Sequence, residues 1–204
     1  ANTLNNIALI NRHKGDFEKA QNQWLEALQL YGKLNDTKGV ALTLNNLGLL
    51  YSDRDELQTA DSLFDDSRTL YEQRADSSGL AMVLGNLGTN AKSQGDFDEA
   101  MRYCSKSYKL AKRGGQTEYV LSACQCLADA YAMGGNHETA NEYLWEYIQL
   151  SDSLAQQEVG KQVALMQMRY EHQKEQMQIA LERERERSKA KAEIQRQRLL
   201  RNGS

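Results

Sequence analysis

The chain has 204 residues, with 25 lysines and arginines against 28 aspartates and glutamates, a formal charge of −3, three cysteines and no proline. That balance excludes a strongly basic nucleic-acid binder, the odd cysteine count at no framework spacing excludes a disulfide scaffold, and no apolar run approaches the roughly 20 residues that span a bilayer. The missing proline favours an all-helical chain with short connections.

The pattern is already helical at Ala1, with neither methionine nor leader before it, which reads as an excised piece of a longer protein. Thr3-Leu4-Asn5-Asn6-Ile7-Ala8 returns 40 residues later as Thr43-Leu44-Asn45-Asn46-Leu47-Gly48 and again as Val83-Leu84-Gly85-Asn86-Leu87-Gly88. A fainter copy is Ala123-Cys124-Gln125-Cys126-Leu127-Ala128. Ala20, Ala60, Ala100 and Ala140 fall in register, as do Trp24, Phe64, Cys104 and Leu144, and Leu30, Leu70, Leu110 and Leu150. Gly15, Gly95 and Gly135 share a slot that Asp55 fills in the second unit. The units are about 1–40, 41–80, 81–120 and 121–152. Counting slots from residues 1, 41, 81 and 121 puts any residue and its counterparts under one slot number.

Within the second unit, Leu44, Leu47, Leu50 and Tyr51 form one helical stripe. A turn at Ser52-Asp53-Arg54-Asp55 follows, and a second helix buries Leu57, Ala60, Phe64 and Tyr71. One hairpin of this size cannot bury its apolar face alone, so neighbours must stack.

After Leu150 the period stops. Ser151-Asp152-Ser153 supplies N-cap oxygens for a new helix from about Leu154. Residues 153–204 then read as a long charged helix, about 70 Å if helical to Arg201, most of which should project. Val159, Val163, Met166, Tyr170 and Met177 make a coiled-coil seam, which thins at Glu184 and Arg187. Residues 182–204 hold eight basic and four acidic side chains. Such an end suits a solvated stalk, an anionic partner or a membrane surface.

The Leu47-Gly48 and Leu87-Gly88 pairs, Tyr51 and Tyr131, Ala60 and Ala100, and Trp24 and Phe64 resemble the tetratricopeptide repeat. The resemblance covers roughly residues 1–152 and departs from the family in its period of 40 rather than 34 and in lacking the closing proline. It implies an all-α, right-handed superhelical solenoid of about four hairpins, followed by the long helix. The tail, with Asp152-Ser153-Leu154, Tyr170-Glu171 and Lys174-Glu175, is similar to that of tetratricopeptide-containing sensor histidine kinases and helix-turn-helix regulators of Bacteroidetes-type bacteria. That likeness implies the sensory segment of a membrane-linked two-component regulator, on the extracytoplasmic face of the inner membrane. The alternative is a cytoplasmic scaffold akin to motor or polarity adaptors, which three unpaired cysteines favour.

No catalytic, cofactor or metal constellation is expected. His13, His137 and His172 do not pair at helical spacing, and Cys124-x-Cys126 places its thiols on different helix faces. Cys104 and Cys124 fill core slots. Lys112-Arg113-Gly114-Gly115 is an inter-repeat turn with a basic cap. The expected partner is a protein or peptide, with no nucleic acid. The resemblance places the ligand face on the first helices, at Asn5, Asn45 and Gln125, at Leu9, Leu49, Thr89 and Asp129, and at the edge row Asn6, Asn46 and Asn86. The asparagines either pair with the backbone of an extended peptide or hydrogen-bond between repeats. A carboxylate clamp for acidic chaperone tails is not expected, because of its slots Asn5, Leu9, Asn46, Met82 and Asn86 only Asn46 fits. The tail seam implies a homodimer, and its basic end membrane proximity.

Overall fold

The computed structural model describes the backbone of residues 1–202 and the side chains of residues 1–184. Among them run eight helices and no strand: α1 (Asn2–His13), α2 (Phe17–Lys33), α3 (Thr37–Asp53), α4 (Leu57–Gln73), α5 (Ser77–Ser93), α6 (Phe97–Gly114), α7 (Thr117–Met133) and α8 (His137–Asn202). The chain divides into two units, Ala1–Ser151 and Asp152–Ser204. The first is an all-helical solenoid in which each helix packs on its neighbours in sequence, as the 40-residue period requires.

Helix ends follow local chemistry. Asp36, Asp76 and Asp96 cap α3, α5 and α6, their carboxylates accepting from the backbone N–H groups of Gly39, Gly79 and Glu99 at 2.9–3.0 Å. The chain reverses without proline because one residue per turn takes a left-handed conformation. Inside the hairpins that residue is Gly15, Asp55, Gly95 or Gly135, so Asp55 adopts φ 61° in the slot glycine holds elsewhere. Between hairpins it is Asn35, Ala75 or Gly115.

Core packing uses the slots that the repeat keeps. Ala20, Ala60 and Ala100 are fully buried, and so are Trp24, Phe64 and Cys104 to within 1%. Gly48 lies against the Phe64 ring, so that a Cβ there would fall 2.5 Å from Cε1 of Phe64. Leu47 and Leu50 of α3 close over Ala20 and Trp24 of α2, and this joins one hairpin to the next.

The structure corrects the expected start of the tail helix. Ser151, Asp152 and Ser153 lie inside α8, which is continuous for 66 residues. No glycine or proline ends the helix before them, so their side-chain oxygens cap nothing. Glu184 is exposed, whereas the side chain of Arg187 and the basic character assigned to residues 182–204 lie largely outside the described side chains.

Two substitutions probe this packing. Ala75 sits at φ 52°, a conformation costing a residue with a Cβ about 1–2 kcal/mol. Ala75→Gly relieves that strain against a backbone-entropy cost of about 0.5–1 kcal/mol, so it should raise stability by about 0.5–1 kcal/mol in urea unfolding. Gly48→Ala gains about 1 kcal/mol of helix propensity but overpacks a buried ring at about 1–3 kcal/mol, so its urea midpoint should fall.

Candidate functional site

The first helices α1, α3, α5 and α7 carry the residues that the sequence nominated for binding. The structure separates them into buried and open groups. Asn5 and Asn46 are buried: Asn5 Oδ1 accepts from Trp24 Nε1 at 3.0 Å and from Asn46 Nδ2 at 2.9 Å. One junction further on, buried Asn45 Oδ1 accepts from Asn86 Nδ2 at 2.7 Å, with Asn86 itself half-buried. Fifth-slot oxygen and sixth-slot nitrogen therefore pair across successive repeats, the second of the two roles open to these amides. Leu49 is half-buried against the core around Phe64. The open group is Asn6, Leu9, Thr89 and Gln125, with Asp129 partly exposed. Thr89 Oγ1 turns back to donate to the Gly85 carbonyl at 3.0 Å.

Open residues gather where α5 and α7 end. Lys92, Ser93, Asp129, Ala132 and Met133 line a shallow cleft of about 480 Å³. Across it Lys92 Nζ meets Asp129 Oδ2 at 2.6 Å, an ion pair between third and fourth repeats. Arg12 and Asp53 pair likewise between the first and second, through Nε at 2.6 Å and a guanidinium nitrogen at 3.0 Å. Met133 is exposed beside two charges, which gives the cleft an adaptable apolar contact and a charge pair that a ligand can reorganise.

Two further clefts that single-unit reasoning missed lie where α4, α5 and α6 meet. Asp61, Asp65, Asp96 and Glu99 line one of about 240 Å³. Arg68, Arg102, Lys106 and Lys109, with Glu72 paired to Arg68, surround a neighbouring one of about 490 Å³ with Leu80, Leu84 and Leu110 in its walls. Tyr103 borders both, and burial, followed by the charges of Asp65 and Glu99, pushes its phenol up. The signal was distributed over three helices, and no local motif carries it.

Cysteine pairing also departs from the sequence expectation. Cys104 of α6 is disulfide-bonded to Cys126 of α7, while Cys124 is a buried free thiol. Cys104 and Cys124 are core residues as expected, but the chain does not hold three unpaired cysteines. Slot arithmetic explains the bond. The sixth slot of one repeat lies beside the twenty-fourth of the preceding one, where Asn46 and Trp24 meet through Asn5. The same two slots at the next-but-one junction hold Cys126 and Cys104.

Comparison with known proteins agrees with this geometry. Residues 1–73 and 80–113 match two family models, each described as tetratricopeptide repeat. The chain carries tetratricopeptide repeats. Such repeats are in general protein-interaction modules rather than catalysts. No curated protein is similar to the chain in sequence at a significant level. Similar solved structures include BtubC (BKLC) from P. vanneervenii, with a TM-score of 0.65 at 17% identity over 74% of this chain and 63% of that one. Aspartyl phosphate phosphatase F from Bacillus subtilis gives 0.70 at 13% identity over 74% and 40%. A putative kinesin light chain from Podospora anserina gives 0.62 at 15% identity over 74% and 75%. At these identities the likeness is one of fold, and the chain spans less than two thirds of the first of these structures.

Two measurements follow. Asn5→Ala strips the acceptor from Trp24 Nε1 and Asn46 Nδ2, and should cost about 1–3 kcal/mol in urea unfolding, as a buried unpaired donor does. Thiol titration of unreduced, denatured protein should find a single thiol, that of Cys124. In the folded state burial, and then the Glu146 charge, push that thiol up to about 11, so alkylation at neutral pH should await unfolding.

Proposed function

We propose that this repeat module is the sensory segment of a membrane-linked two-component regulator, binding an extended protein segment on its first-helix face and passing the event on through α8. The observation that carries the reading is that α8 belongs to both units. Its first turns pack half-buried Tyr143, Tyr147 and Leu150 against the array's core, and the same helix continues to Asn202. A ligand that repositions the last hairpin acts on the element that forms the whole second unit.

The ligand face in this reading is Leu9, Thr89, Gln125 and the cleft at Lys92, Ser93, Asp129 and Met133. Asn5, Asn45, Asn46 and Asn86 hold the repeats in register beneath it, and Asn6 and Leu49 flank it. The exposed residues Val159, Val163, Met166, Tyr170 and Met177 supply a dimer seam along the second unit. The Cys104–Cys126 bond supports an oxidising compartment and hence the extracytoplasmic placement. No described helix is long and apolar enough to cross a membrane. In this reading the span and the kinase or helix-turn-helix output module are encoded downstream.

Reading the parent gene tests the proposal. An apolar stretch of about 20 residues soon after Arg201, leading into kinase or helix-turn-helix motifs, is the expected finding. A stop codon there would replace the sensor with a scaffold. The seam has its own test: Val163→Glu with Met166→Glu should convert a dimer into a monomer in sedimentation equilibrium, with the array's helicity unchanged.

A further inference from the structure

The acidic and basic clefts are the two ends of one groove. α4 and α6 both pack on α5, while their own backbones stay apart. Leu87 and Ala91 line the acidic end and Leu80 and Leu84 the basic end. These four follow one another at helical steps of four, three and four, so a single stripe of α5 floors both. Tyr103 bridges the two ends from α6. Along that helix Asp96 at one end and Lys109 at the other lie about 20 Å apart.

Charge is sorted along this groove. The arginines are spent on carboxylates of the groove itself: Arg68 pairs with Asp65 at 3.0 Å and Glu72 at 3.2 Å, and Arg102 pairs with Glu99. At the basic end Lys106 and Lys109 are exposed and join no ion pair among the described residues. At the acidic end Asp61 accepts only from amides, Asn90 Nδ2 at 2.7 Å and Gln94 Nε2 at 2.6 Å. Asp96 accepts from the Glu99 N–H, and neither aspartate meets a cation among the described residues. Two lysines and two aspartates are thus left over at opposite ends of an apolar floor. Packing does not demand them. The slots of Lys106 and Lys109 hold Asp66 and Thr69 one repeat earlier and Glu146 and Gln149 one repeat later, and the slot of Asp61 holds Gln21 and Met101.

We infer that this groove binds a charge-ordered segment of a partner protein. Its carboxylates face Lys106 and Lys109, its apolar side chains lie over Leu80, Leu84 and Tyr103, and its lysine or arginine faces Asp61 and Asp96. Four cations and five carboxylates line the groove as a whole, so a nucleic acid, a free phosphate or an anionic lipid surface would meet repulsion along half of it. The floor takes the apolar anchors, and the two ends fix direction and reject the wrong charge order. The walls are second helices, so the inference does not depend on the ligand face proposed on the first helices.

The test screens the full chain against displayed peptides of about 13 residues, long enough as a helix to match about 20 Å. Low ionic strength keeps exposed charges unscreened. Central leucines are fixed, and every other position varies among glutamate, glutamine and lysine. Enriched sequences should gather glutamate in one half and lysine in the other. Their affinity should fall about tenfold for Lys106→Glu with Lys109→Glu. Both side chains are exposed, so this variant should keep its helical circular dichroism, and a screen on it should select lysine in both halves. No enrichment, enrichment without charge order, or an order that the variant leaves unchanged overturns the inference. So does glutamate enriched throughout, which would mark a plain anion-binding patch.

Discussion

The closure of one repeat's second helix over the next repeat's first helix is the contact on which the structure depends. No hairpin here has a core of its own. Trp24 belongs to the first repeat by sequence but is buried by Leu47 and Leu50 of the second, and Phe64 by Val83 and Leu87 of the third. Stability is therefore held at junctions, and each junction is locked in register by an amide pair, an ion pair or, between α6 and α7, a disulfide. A binding surface assembled from several repeats is as rigid as those locks. The Lys92–Asp129 pair is both a lock and part of the open cleft, so the ligand proposed for that cleft would act directly on repeat geometry.

Function in such an array comes from side chains that the junctions leave over. Once slots three, four, seven, eight and ten are spent on packing, and slot five on register, the first helices retain the ninth, twelfth and thirteenth slots, on which the proposed ligand face is built. Those slots hold Leu9, Thr89, Asp129, Met133 and the paired charges between repeats. α8 differs from the other second helices in length and in leaving Leu144 exposed where they bury Trp24, Phe64 and Cys104: its first turns pack through Ala140 and Tyr143, and its continuation forms a second unit that exposes Val159, Val163 and Met166.

Much of this was legible in the sequence because the period is strict. Four in-register alanines and the aromatic slot are enough to place the helices, since each slot has one physical job. Three features escaped. The disulfide was hidden by counting cysteines by parity, when Cys104 and Cys126 occupy slots that already meet elsewhere through Asn46, Asn5 and Trp24. Ser151-Asp152-Ser153 looked like a helix start, but a cap acts only where the preceding helix has ended, and nothing between Leu150 and Leu154 ends it. The acidic and basic clefts between α4 and α6 draw on separate repeats, and their charges carry no periodic signature. The amides at Asn5 and Asn45 were legible as a ladder, while their partners required the three-dimensional register.

Residue-resolved amide hydrogen exchange, at concentrations where the chain is monomeric, tests the junction account most directly. Helices covered on both sides, α3 to α6, should be the slowest to exchange. α1, whose Ile7 and Ile10 face lacks a cover, should open well before them. If α1 were protected as strongly as α3, stability would reside within single hairpins and the account would fail.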